Sequence, residues 1–208
     1  MAGPLRLPGP ARGLRIGLFG GSFNPAHDGH RHVAETALKR LDLDWVWWIV
    51  ARGNPLKETH GVYTARIASA RRVARHPRMR VSDMEAQLGV RYTLDLVRAL
   101  HRRCPETDFV WVMGADNLES FPRWGGWDEI ARTVPIAAVA RPEAGPEARL
   151  GKFACRFSRN RFAAASARTL AREAPPAWVF LPARWHPESS TALRRRAEAR
   201  NPFRQSQR

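Results

Sequence analysis

The chain predicts an α/β fold, a doubly wound parallel sheet of five to six strands with helices on both faces. Three observations predict it. Apolar runs of strand length recur along the chain, segments of helical period separate them, and each apolar run empties into a polar or Gly/Pro-containing loop.

Residues 14–19 form the first apolar run, bounded by glycine. From Gly29 to Leu41 the residues Val33, Ala34, Ala37, Leu38 and Leu41 recur at helical spacing, and Lys39 and Arg40 lie near the end, where the helix dipole favours cations. Residues 45–51 read as a second, fully buried strand. A polar loop over 52–60 then leads into a helix over 62–75, which His76-Pro77 stops. Another helix follows over 92–103, and 109–113, 136–140 and 178–181 are further strands. Strands alternating with helices imply the Rossmann-like arrangement, in which ligands sit at the carboxyl ends of strands. The distinctive loops fall there, after Phe19, Ala51, Met113, Ala140 and Leu181. Residues 141–151 read as a surface excursion.

The length of 208 residues suits one domain, expected over 14–200, with a flexible Pro/Gly-rich leader over 1–13 and a frayed basic tail over 201–208. The leader lacks the apolar stretch of a secretory signal, and no apolar run approaches a membrane span, so the expected location is the cytoplasm. Cys104 and Cys155 are too few for a disulfide framework and lack zinc-site spacing. The net charge of +16 suits a phosphate-rich ligand. It is spread along the whole chain as arginine, with Lys39, Lys57 and Lys152 the only lysines. No aromatic-basic cluster or helix-turn-helix pattern accompanies it, so a dedicated nucleic-acid role is not expected. Oligomeric state stays open.

The densest chemistry follows the first strand, in Gly20-Gly21-Ser22-Phe23-Asn24-Pro25-Ala26-His27-Asp28-Gly29-His30. Two glycines let the backbone approach an anion, and the following helix aims its unpaired N–H groups at the same point. Neither the Lys-Ser/Thr ending of a Walker loop nor the third glycine of a dinucleotide fingerprint is present. His27 and His30, three apart at a helix start, can instead supply charge and donors to one phosphate. No third ligand of suitable spacing makes them a metal site. A second anion cradle is expected at Ser189-Ser190-Thr191-Ala192-Leu193-Arg194, where hydroxyls and a guanidinium share one face with the first-turn amides. The alternative there is a plain N-cap with solvated arginines, which suits Arg195 and Arg196 better than Arg194.

These two motifs, in this fold order, resemble the nucleotidyltransferase superfamily that carries an HxGH motif after the first strand and a Ser-Ser-Thr-x-x-Arg-like motif near the C-terminus. Within it the chain is most similar to the bacterial nicotinate-nucleotide adenylyltransferase family, over about residues 16–196. Asn54-Pro55-Leu56-Lys57, Tyr92-Thr93-Leu94-Asp95, Gly114-Ala115-Asp116-Asn117-Leu118 with Trp124, and Ala140-Arg141-Pro142 add to the likeness. It departs from that pattern at Asn24, where the family often has Asp, and at Leu96, where a second Thr commonly follows Asp95.

The resemblance implies transfer of AMP from ATP to the phosphate of nicotinate mononucleotide, giving the deamido dinucleotide and pyrophosphate without a covalent enzyme intermediate. It implies that Gly20, Gly21, Ser22, Phe23, His27, His30, Ser190, Thr191 and Arg194 bind ATP. It further implies that Lys57 and Arg194 neutralise charge on the α-phosphate and leaving group, and that Mg²⁺ arrives with the nucleotide. Asn54, Lys57, Thr93, Asp116 and Trp124 are implied at the acceptor. Trp124 either stacks on the nicotinate ring or packs in the core, and Asp116 either binds a sugar hydroxyl or caps its loop. Nicotinamide mononucleotide and phosphopantetheine are the alternative acceptors.

Overall fold

The computed structural model describes residues 5–53, 61–140 and 147–183. Its strands are β1 (Arg15–Gly21), β2 (Trp45–Val50), β3 (Met79–Ser82), β4 (Asp108–Gly114), β5 (Ile136–Val139), β6 (Arg161–Phe162) and β7 (Trp178–Leu181). The α-helices are α1 (Asp28–Arg40), α2 (Tyr63–Val73), α3 (Met84–Leu88), α4 (Thr93–Arg103), α5 (Asn117–Ser120), α6 (Trp127–Thr133), α7 (Glu147–Leu150) and α8 (Lys152–Arg156). A longer 3₁₀ segment runs over Ala164–Arg172.

Every strand pair is parallel, in the order β3-β2-β1-β4-β5-β7-β6. The described residues therefore form a seven-stranded sheet, not one of five to six. The two additional strands are edges. β3 is the four-residue Met-Arg-Val-Ser, with its two central residues incompletely buried, and β6 is a two-residue Arg-Phe. Neither is long enough to show a period in sequence.

Alternate side chains of the central strands enter two separate cores, which is why these strands are apolar throughout. In β2, Trp47 and Ile49 pack toward Leu96, Leu100 and Ile130 of α4 and α6, whereas Val46 and Trp48 pack toward Val33, Ala37 and Leu38 of α1. Residues 5–14 carry no regular element but lie against the body. Thr107 Oγ1 donates to the Ala11 carbonyl at 2.8 Å, and the Gly13 amide donates to the Glu106 carbonyl at 2.8 Å. At the amino end of β1, Arg15 bonds Asp44 and Asp42 and holds both carboxyls below the usual carboxylate range.

Chain direction reverses its winding between β1 and β4, which are neighbours in the sheet but far apart in sequence. The crevice at their carboxyl ends is the position where such sheets bind ligands. A side chain from β4 covers the end of β1 there. A Cβ on Gly20 would lie 2.4 Å from Cη2 and 2.5 Å from Cζ2 of Trp111 on β4, so the indole occupies the space a side chain would need.

Gly20→Ala is expected to destabilise the protein by about 1–3 kcal/mol through this overlap. Adding Trp111→Phe should recover part of the loss relative to the sum of the single changes, read by denaturant unfolding. Strictly additive effects would show that the two residues do not share that space.

Candidate active site

The corner after β1 is built from a reversal and a helix start. Phe23 adopts φ 47°, a left-handed conformation rare for a bulky residue, and its ring is held by neighbours on several sides. It stacks on Trp48 at 5.1 Å, meets Phe19 edge-on at 5.4 Å and meets His30 edge-on at 5.0 Å. The aromatic anchor turns the chain so that His27, in extended conformation at φ −151°, becomes the N-cap of α1.

His27 is buried and His30 partly so, and their ring centroids are 3.9 Å apart. The structure thus brings the two histidines to one point, as their spacing predicts. The His27 backbone N–H donates to His30 Nδ1 at 3.2 Å. An imidazole that accepts at Nδ1 carries its proton on Nε2, so His30 is set up as an Nε2–H donor. The glycine pair carries a second role that the sequence reading did not assign. Gly20 makes room for Trp111, and a Cβ on Gly21 would come within 3.0–3.3 Å of the Phe23 ring.

Trp111 links the end of β1 to the Trp124 segment. Its ring meets Trp124 edge-on at 6.3 Å while its far edge covers Gly20. Trp124 also packs edge-on against Phe121 at 5.2 Å, yet stays only half-buried, so it is both a wall of the core and a partly accessible surface. The ring of exposed Tyr92 lies beside Gly125, which places Thr93, the first residue of α4, next to the Trp124 segment. Asp116 is half-buried at the N-cap of α5, in the loop after β4. Leu96 points into the core with no exposed surface, so its departure from the usual Thr is a packing change inside α4. Asn54, Lys57, Ser190, Thr191 and Arg194 lie outside the described residues.

Two buried polar residues of this region escaped the sequence reading. Arg66 of α2 is surrounded by the Ser22, Ala51, Arg52 and Gly61 carbonyls. Glu85 of α3 accepts the Arg52 amide at 2.9 Å. The available signal was a cation within the apolar stripe Tyr63, Ile67, Ala70 and Val73, where a solvated arginine is not expected. Burial pushes the Glu85 carboxyl up to about 7, against the opposing pull of the Arg52 amide and the Arg66 charge. Tyr63, whose hydroxyl donates to the Val50 carbonyl at 3.3 Å, is pushed up to about 12, mainly by burial.

The site so assembled has a helix start and two imidazoles at the end of β1, an aromatic wall from β4 and the Trp124 segment, and the loop after β2 fixed nearby. This is the architecture of an α/β nucleotide-binding transferase. Residues 18–196 match the cytidylyltransferase-like family, to which the chain belongs. Among curated proteins it is 51% identical over 185 residues to a probable nicotinate-nucleotide adenylyltransferase of Caulobacter sp. (strain K31), covering 88% of this chain and 98% of that one. It is 49% identical over 183 residues to a protein of the same name in Bradyrhizobium sp. (strain ORS 278), covering 87% and 95%. The fold is shared with Plasmodium falciparum nicotinic acid mononucleotide adenylyltransferase solved in complex with NaAD. There the TM-score is 0.64 at 15% identity, over 88% of this chain and 83% of that one.

Because the Glu85 proton binds the folded state more tightly than the unfolded one, its stabilisation is complete below about pH 4.5 and is lost as pH rises through about 7. Glu85→Gln should therefore raise stability over the wild type by about 2–3 kcal/mol near pH 8 and by little near pH 5. Thermal unfolding at the two pH values checks this, and an equal difference at both would contradict it.

Proposed function

We propose that the protein transfers AMP from ATP to the phosphate of nicotinate mononucleotide, forming nicotinate adenine dinucleotide and pyrophosphate. The observation that carries this reading is the pair of histidine rings 3.9 Å apart at the carboxyl end of β1, beside the β1–β4 crevice. The close kinship to nicotinate-nucleotide adenylyltransferases supports the choice of acceptor.

A phosphate oxygen of the mononucleotide attacks the α-phosphorus of ATP. A new P–O bond forms, the bond between the α-phosphorus and the bridging oxygen breaks, and pyrophosphate leaves with the electron pair. The attacking oxygen is already anionic at neutral pH, so no side chain need act as general base. Catalysis reduces to placing two polyanions in line and stabilising the charge that moves toward the leaving group. His30 offers an Nε2–H and His27 its imidazole to the phosphates, while the first-turn amides of α1 add a partial positive charge. Lys57 and Arg194 are proposed to neutralise the α-phosphate and leaving pyrophosphate, with Ser190 and Thr191 holding the nucleotide.

Mg²⁺ is proposed to enter with ATP and to withdraw charge from the phosphate oxygens. It prefers oxygen ligands, so the imidazole nitrogens of the corner suit the phosphates better than the ion. No cluster of three or more His, Cys, Asp or Glu side chains that could hold a metal occurs among the described residues. On the acceptor side, half-buried Trp124 is proposed to offer its ring to the pyridine, next to Thr93, and Asp116, in the loop after β4, is proposed to bind a sugar hydroxyl. No described helix is long and apolar enough to cross a membrane.

Incubation with ATP, Mg²⁺ and each mononucleotide in turn, following pyrophosphate, should give the fastest release with nicotinate mononucleotide. Faster release with the nicotinamide compound or phosphopantetheine would reassign the acceptor, and none with any of them would overturn the proposal. His27→Ala and His30→Ala should each lower kcat by about a hundredfold or more with a smaller change in KM. Near-normal turnover in both would remove the histidines from the mechanism.

A further inference from the structure

The proposed transfer uses no residue of α2, yet α2 carries a cation, Arg66, with only 3% of its surface exposed. The Arg66 guanidinium donates from Nη1 to the Ser22 carbonyl at 2.9 Å and the Ala51 carbonyl at 2.7 Å. It also donates from Nη2 to the Arg52 carbonyl at 3.2 Å and from Nε to the Gly61 carbonyl at 3.1 Å. These carbonyls belong to three chain segments: the turn after β1, the loop after β2 and the entrance to α2. One turn further along the helix, the buried Ser69 Oγ accepts the Ala26 amide at 3.0 Å, immediately before His27.

A buried guanidinium is a costly way to fill a core, and apolar side chains of similar volume often stabilise as well or better. What the planar fork supplies is direction. Its donors leave in fixed orientations, so carbonyls bound to it keep a fixed spacing that packing alone does not enforce. Arg66 and Ser69 lie three residues apart on one helix face and hold the chain at residues 22 and 26, on either side of the turn that delivers His27. Arg66 also fixes residues 51 and 52, upstream of Asn54 and Lys57 in sequence, and Glu85 accepts the Arg52 amide.

We propose that Arg66 and Ser69 are positioning residues for adenylyl transfer, with α2 acting as a brace that sets the histidine corner in register with residues 51 and 52 at the end of β2. This rests on the reading of the corner as the ATP-phosphate site. Neither side chain touches substrate. Their effect is on the alignment of groups that do, and misplacement of such groups by about an ångström can cost on the order of a hundredfold in rate.

The test measures pyrophosphate release, the KM for each substrate and thermal unfolding in the wild type, Arg66→Lys, Arg66→Ala and Ser69→Ala, all well below their melting temperatures. Folded Arg66→Lys should lose about thirtyfold or more in kcat, and Ser69→Ala about three- to tenfold, with KM for the mononucleotide nearly unchanged. Added guanidinium ion should restore part of the kcat of Arg66→Ala and none of that of His27→Ala. A purely structural role predicts lowered melting temperatures with kcat within about twofold of wild type and no rescue, which would overturn the assignment. If the Arg66 variants do not fold, Ser69→Ala decides alone, because it removes a single hydroxyl, and an unchanged kcat there rejects the brace. A wild type that releases no pyrophosphate overturns the functional reading and this one together, whereas an active wild type with unaffected variants overturns only this one.

Discussion

At the carboxyl end of the β1–β4 pair, the indole of Trp111 occupies the volume where residue 20 would carry a side chain. That contact lets the indole lie over the end of β1 at the point where the sheet changes winding direction. On one face of β1 it seats the aromatic wall that includes Trp124. On the other face, Phe19, Phe23 and Trp48 form the aromatic anchor from which α1 begins with His27. The crevice is thus bordered by two aromatic assemblies, with the imidazole pair on one border and the exposed side of Trp124 on the other.

Such a border suits a reaction between two anions. Apolar surroundings strengthen every charge–dipole interaction inside the crevice, and rigid aromatic packing keeps the donors from rearranging as charge moves to the leaving group. The polar supports lie one layer out. Arg66, Ser69 and Glu85 bind backbone atoms of the loops, and Tyr63 covers the Arg66 guanidinium at 5.1 Å while donating to Val50. The turn after β1 and residues 51 and 52 after β2 are therefore held through their backbones.

Much of this was legible in the sequence wherever a period or a motif ran long enough. α1 stands out because its apolar residues recur at helical spacing and the central strands because they are continuous apolar runs, and the imidazole pair follows from helical geometry at a helix start. The edge strands β3 and β6 were not legible, being too short to carry a pattern, and α6 is a short helix entered through Gly126 at φ 70°. The burial of Arg66 was hidden for another reason. In a chain so rich in arginine, one more within the apolar stripe of α2 does not stand out, and the backbone carbonyls that satisfy it come from segments distant in sequence. The close approach of Trp111 to Gly20 was invisible because it depends on the register between strands about ninety residues apart, which no local pattern encodes.

We infer that the phosphate chain of ATP lies in the corner formed by residues 20–30. A crystal structure with a non-hydrolysable ATP analogue tests it most directly. Phosphate oxygens are expected within hydrogen-bonding distance of the His27 and His30 rings, with the acceptor side open toward Trp124. Phosphates bound elsewhere, with both imidazoles making only protein contacts, would contradict it.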